Sequence, residues 1–266
     1  MKIRAIALNT FAGLVRNKII ILFCAGCLCI LLLLLTPLLM ARSLRATQTA
    51  EQMQAAVLPL IGAMMALVSG FGSLLAAWAA ADAVAGEMKS GTILAVMARP
   101  VRRWEFLLGK YLGVQLLMAV YVLCTFGLSY LLAWIGGAHI QSAPWVLLVY
   151  PLVRYALYSA IGIFLVTVMH PMVAMGIVLV ISIAAQIVAP SSGTTYLPAW
   201  LKTGLYHVLP STTLLSEIRY LTITKATLRG TPWTDHAIAL AYGVDYALVC
   251  FLLGVWLFRR RSLSRD

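Results

Sequence analysis

Charge is what this sequence has least of. Only 11% of its 266 residues are Asp, Glu, Lys or Arg, against about 25% in soluble proteins. Long stretches have none at all. No such residue lies between Lys18 and Arg42, from Gln52 to Ala81, from Tyr111 to Val153, or from Tyr155 to Leu201. A soluble fold needs a polar shell, and these runs cannot supply one. A membrane-spanning helix needs about 20 apolar residues at ~1.5 Å rise to cross a hydrocarbon core of ~30 Å. Each run holds one or two such helices, in keeping with a mean hydropathy of +0.96.

Catalytic signatures are also missing. A phosphate-binding loop needs GxxxxGK and then Ser or Thr, so that backbone amides cradle phosphates and the hydroxyl holds magnesium. The Gly-Lys pair here is Gly109–Lys110. Trp104 stands where the first glycine belongs, and Tyr111 replaces the hydroxyl residue. Nucleotide binding of that kind is excluded. His139, His170, His207 and His236 show no HExxH spacing. Cys24, Cys27, Cys29, Cys124 and Cys250 all fall in apolar runs. The 24–27–29 spacing invites a metal, but no His or carboxylate accompanies it. We read these cysteines as small side chains within spans. Ser69-Gly70-Phe71-Gly72-Ser73 resembles a serine-protease loop only faintly, and no histidine pairs with it. Small residues in a span favour close helix packing.

What is present is basic. The net charge is +12. The cations sit beside apolar runs, which fits membrane topology rather than nucleic-acid binding. The pattern predicts an all-α polytopic membrane protein, one domain over 1–266, with six spans at about 19–40, 57–81, 111–135, 145–169, 171–190 and 237–258. Gly136–Gly137 with Pro144 separates the third from the fourth, and His170–Pro171 the fourth from the fifth. Thirteen cations fall on one side: Lys2, Arg4, Arg16 and Lys18, then Lys89, Arg99, Arg102, Arg103 and Lys110, then Arg259, Arg260, Arg261 and Arg265. Six fall on the other: Arg42, Arg45, Lys202, Arg219, Lys225 and Arg229. The richer side is read as cytoplasmic, with both termini on it.

The first 18 residues carry Ile3, Ile6, Phe11 and Leu14 on one helical face, which predicts an interfacial helix. Its apolar continuation is too long for a signal peptide and is read as a retained span. The external segment 191–236 is expected to form one or two short amphipathic helices. Ser211 is a candidate cap, followed by Leu214, Leu215, Ile218 and Leu221 at helical spacing.

Residues 82–113, DAVAGEMKSGTILAVMARPVRRWEFLLGKYLG, carry the strongest pattern. A positive-inside loop accounts for Arg99, Arg102, Arg103 and Lys110. It does not account for Asp82 and Glu87, acidic where topology rewards the opposite sign. Ser90-Gly91-Thr92 opens a short apolar run, Ile93 to Met97, closed by Arg99–Pro100. A short helix anchored between two spans is a lever on both.

This stretch resembles the first cytoplasmic loop of ABC-2 type transporter permeases. The residues that carry the likeness are Glu87, Gly91–Thr92, Arg99–Pro100 with Arg102–Arg103, and Gly109–Lys110. Within that family the loop looks most like permeases of the nitrous-oxide-reductase maturation type. The resemblance implies the membrane subunit of an ATP-driven exporter, without enzymatic activity of its own. It implies a homodimer in a bacterial or archaeal cell membrane, bound to a separate ATPase subunit that carries ATP and magnesium. It leaves the cargo open.

Two charges remain inside spans. Arg154 lies nine residues past Trp145, and Asp245 eight past Ala237, so each is about 12–14 Å deep. Opposite signs at equal depth predict a buried ion pair, either a helix clasp or a cargo site. Two other readings compete with the permease. An intramembrane protease or lipid transferase needs converging polar groups, and few exist. A single-chain secondary transporter commonly shows repeats and matching broken spans, which are absent.

Overall fold

The computed structural model describes residues 2–43, 50–90, 102–136, 144–188, 198–211, 214–216 and 233–260. The described chain is helical, in eight segments: α1 (Lys2–Val15), α2 (Lys18–Ser43), α3 (Ala50–Ser90), α4 (Arg103–Gly136), α5 (Pro144–Val166), α6 (Pro171–Val188), α7 (Ala199–Val208) and α8 (Trp233–Arg260). Helices cover most of each expected span; the helix of the fourth stops at Val166, short of 169, and residues 189–190 of the fifth lie outside the described residues. Four stretches are long and apolar enough to cross a membrane: Pro59–Glu87, Arg103–Leu132, Trp145–Val166 and Trp233–Arg260. The α1–α2 pair, bent by 64°, makes a fifth if taken together. At 18 residues, α6 is about 27 Å long, slightly short of the hydrocarbon core.

Local chemistry places the breaks. Asn17 separates α1 from α2: its Oδ1 accepts from the Ile19 amide at 3.0 Å, a side-chain cap on the new helix. After α5 the chain turns at 167–170. Pro171 then opens α6, where its missing N–H costs nothing, and His170 Nδ1 accepts from the Met172 amide at 3.4 Å. α7 follows Pro198. The helix expected after Ser211 is not seen to begin there: Leu214 and Leu215 form a turn, and residues 217–232 lie outside the described residues.

The second and third expected spans are too short at their polar ends. α3 continues to Ser90 and α4 begins at Arg103. Both helices therefore extend out of the apolar layer. Asp82, Glu87, Arg103 and Lys110 lie on helix rather than in a loop.

α5 is the hub and packs on α3, α4, α6 and α8. Small residues make its closest seam. A side chain at Gly162 would meet the Ala77 backbone, with Cα at 3.1 Å. Around that crossing Ala76, Ala77, Ala80 and Ala81 of α3 are buried. Where apolar lipid removes the hydrophobic drive between helices, such close van der Waals contact holds them together. Gly72 of α3 leaves room for the rings of Tyr121 and Tyr155; its missing Cβ would stand 2.7 Å from Tyr121 Cε1. Ser73 Oγ donates to the Ser69 carbonyl at 3.0 Å. The Ser-Gly-Phe-Gly-Ser run is thus a packing element.

Candidate functional site: the charged end of the bundle

The last turns of α3 and the first turns of α4 lie side by side, and their charges meet. Lys110 forms an ion pair with Glu87. The ammonium is nearly enclosed, at 6% exposure against 21% for the carboxylate. It also lies 5.6 Å from the centre of the Phe106 ring, within reach of a cation–π attraction. A charge this enclosed needs its partner, because desolvation is costly when uncompensated.

Arg103 reaches further. Its Nη1 donates to the Phe258 carbonyl at 3.1 Å and to the Arg259 carbonyl at 2.9 Å. Both belong to the last turn of α8, where carbonyls lack helical partners and the helix dipole favours a cation. Phe106 stacks on Phe258 beneath this contact, centroids 6.2 Å apart and planes at 16°. The start of α4 has its own cap: the Arg102 amide donates to Glu105 Oε2 at 2.9 Å, the reaching-back half of a capping box.

The bent N-terminal pair joins the same cluster. Asn17 Nδ2 donates to Asp82 Oδ2 at 2.9 Å. α1 lies across α4 with no room to spare. A Cβ on Gly109 would fall 2.7 Å from Ile6 Cβ, and one on Gly113 would fall 2.7 Å from the Ala7 carbonyl oxygen. The expected apolar face of α1 is therefore turned towards protein, with Ala7, Thr10 and Leu14 buried on it. Asp82 and Glu87 have their explanation here. Each fastens α3 to a neighbour, Asp82 to the α1–α2 bend and Glu87 to α4.

Of the residues singled out in the sequence, the structure brings Glu87 and Lys110 together and ties Arg103, at the start of α4, to the last turn of α8. Arg102 is exposed at the start of α4. Gly91, Thr92, Arg99 and Pro100, with the expected short helix, lie outside the described residues. Asn17 and Phe258 were not foreseen. The signal for Asn17 was weak, a single amide residue between two apolar helical patterns. Phe258 carried none beyond its place near a basic tail.

Arg154 and Asp245 do not form the expected ion pair. Arg154 is 7% exposed and sits beside the Tyr155 ring, 5.6 Å from its centre. Asp245 is exposed. The reason lies in helix phase. α8 turns Ala239, Gly243, Ala247 and Gly254 inward. A Cβ on Gly243 would crowd Val153 of α5 and Leu215. Asp245 comes two residues after Gly243, about 200° further round the helix. Depth matched, but direction did not.

Cys27 Sγ and Tyr121 Oη are 3.0 Å apart inside the bundle. Among the described residues no three His, Cys, Asp or Glu side chains gather as a metal site.

From residue 4 to residue 263 the chain matches the family described as ABC-2 family transporter protein, and it belongs to that family. It is a multi-pass membrane protein and a permease subunit of an ABC transporter, a class that generally works with an ABC ATPase. No curated protein matches the chain.

Proposed function

We propose that this permease receives the motion of a separate ATPase through residues 82–113 and passes it into the bundle to move a cargo outward. The observation that carries this reading is the fastening at the charged end. Glu87–Lys110 joins the two limbs of the segment, and Arg103 joins the second limb to the end of α8. A push on this segment therefore moves α3, α4 and α8 together rather than bending one helix. The active unit is a homodimer of one-domain chains in a bacterial or archaeal cell membrane. ATP and magnesium belong to the ATPase. The likeness to nitrous-oxide-reductase maturation permeases points to an export role of that type.

Coupling is tested by reconstituting the chain with its ATPase in vesicles. The chain alone hydrolyses no ATP. Arg103→Ala removes two hydrogen bonds at a half-exposed helix end, together worth about 2–3 kcal/mol, a loss small enough that the protein still folds. It lowers transport per ATP hydrolysed several-fold while leaving ATP binding intact. Hydrolysis by the purified chain at an ordinary enzyme rate of ~10 s⁻¹ overturns the reading.

Six spans with both termini inside follow from the distribution of Lys and Arg. With the native cysteines removed, Thr203→Cys on α7 is expected to react with an impermeant maleimide in intact cells. Arg102→Cys at the start of α4 reacts only after permeabilisation. The reverse pattern refutes the orientation and the coupling segment together.

A further inference from the structure

α8 is the least enclosed of the four long apolar helices. In its most apolar window 28% is buried, against 72% for α5. Its covered side is the narrow stripe of small residues that meets α5. Its open side carries Ile238, Val244, Leu248, Leu252 and Trp256, all exposed. Asp245 stands in the middle of that open side. The helix has 28 residues, so it is about 42 Å long, and Asp245 is roughly 18 Å from one end. A short carboxylate side chain at that depth cannot reach a headgroup, as a long Lys or Arg can. Among the described residues it has no hydrogen-bond or ion-pair partner. Facing acyl chains, it costs several kcal/mol.

We propose that this face of α8 docks a transmembrane helix of a different membrane protein, one that presents a lysine or arginine to Asp245 at mid-bilayer. Charge complementarity selects that occupant. Lipid tails offer no donor. A second copy offers no cation at this depth among the described residues: its exposed cations Lys2, Arg4, Arg16, Lys18, Arg102, Arg259 and Arg260 lie at helix ends, and Arg154 is turned into the bundle. Exposed Ala241, one turn before Asp245, is small enough to let a second backbone approach closely.

The full chain is reconstituted in phosphatidylcholine vesicles, native cysteines removed and a dye attached through Trp233→Cys. Labelled oligoleucine helices are added, one with a central lysine, one with a terminal lysine and one with none. Energy transfer reports association. The central-lysine helix is expected to bind about tenfold more tightly than the other two, and Asp245→Leu removes the difference. That variant only adds apolar surface to an exposed position, and an unchanged melting curve confirms its fold. Equal binding of all three helices overturns the proposal, as does an advantage that survives Asp245→Leu. A symmetric disulfide through Leu248→Cys overturns it in favour of a second copy. Modification of Asp245 by a water-soluble carbodiimide overturns it in favour of an aqueous path.

Discussion

Glu87→Leu destabilises the folded chain by about 3–5 kcal/mol, the cost of leaving one enclosed partner of an ion pair without the other. Lys110 is the enclosed partner, 6% exposed, so the loss falls mainly on an ammonium held between α3 and α4. Lys110→Met alone is expected to cost less, since the Glu87 carboxylate, at 21% exposure, is better reached by water. The double variant, Glu87→Leu with Lys110→Met, recovers most of the loss, because two apolar side chains of similar length fill the same space without a desolvated charge. Thermal unfolding in detergent measures each step. If the pair exists only to hold the helices together, the double variant also transports. If it also transmits the ATPase's movement, the double variant folds and hydrolyses ATP with its partner but moves less cargo per turnover. Single variants as stable as the wild type would show that the ion pair contributes nothing.

How far the sequence can be read depends on how many coordinates a feature needs. Uncharged runs need one, position along the chain, and most of each expected span is helical. The break at His170–Pro171 is equally local, since a residue before proline is driven out of the helical region. The polar ends of α3 and α4 were harder to place. Asp82, Glu87, Arg103 and Lys110 mark the edge of the apolar layer, but helix formation does not stop at that edge. Propensity continues through Met88 and resumes at Arg103, so the connection is shorter than hydropathy implies. Asp245 needs two coordinates. Its depth is legible by counting residues; its direction depends on which face of α8 packs on α5. That choice is made by Gly243 and Ala247, whose small side chains carry almost no hydropathy signal. The same is true of α1, where Ala7 and Thr10 are buried beside the more conspicuous Leu14. Asn17–Asp82 needs three, since it joins positions 65 residues apart.

Gly70 and Gly72 put that limit to a direct test. They lie in one pentapeptide, on one helix, and composition treats them alike. In the fold they differ completely. A Cβ on Gly70 meets nothing within 4 Å, and the residue is exposed. A Cβ on Gly72 meets Tyr121 and Tyr155. Those rings have little freedom to withdraw. Tyr155 is fully buried and packs edge-on against Tyr121, centroids 5.9 Å apart. Tyr121 Oη donates to the Val68 carbonyl at 2.8 Å, one turn before Gly72 on the same helix. Gly72→Leu therefore has to push α3 away from α4 and α5 or break that hydrogen bond. Overpacking of a filled interior costs about 1–3 kcal/mol, and more where neighbours cannot move; here the upper end is expected. The loss appears as a lowered melting temperature and a lowered yield of folded protein. Gly70→Leu leaves both near wild type and gains slightly in helix propensity, about 0.5–1 kcal/mol relative to glycine. Should both substitutions be tolerated, the Tyr121–Tyr155 layer does not hold α3 in place. Should Gly70→Leu leave folding intact but abolish assembly into the dimer, that open face of α3 is where the second copy sits.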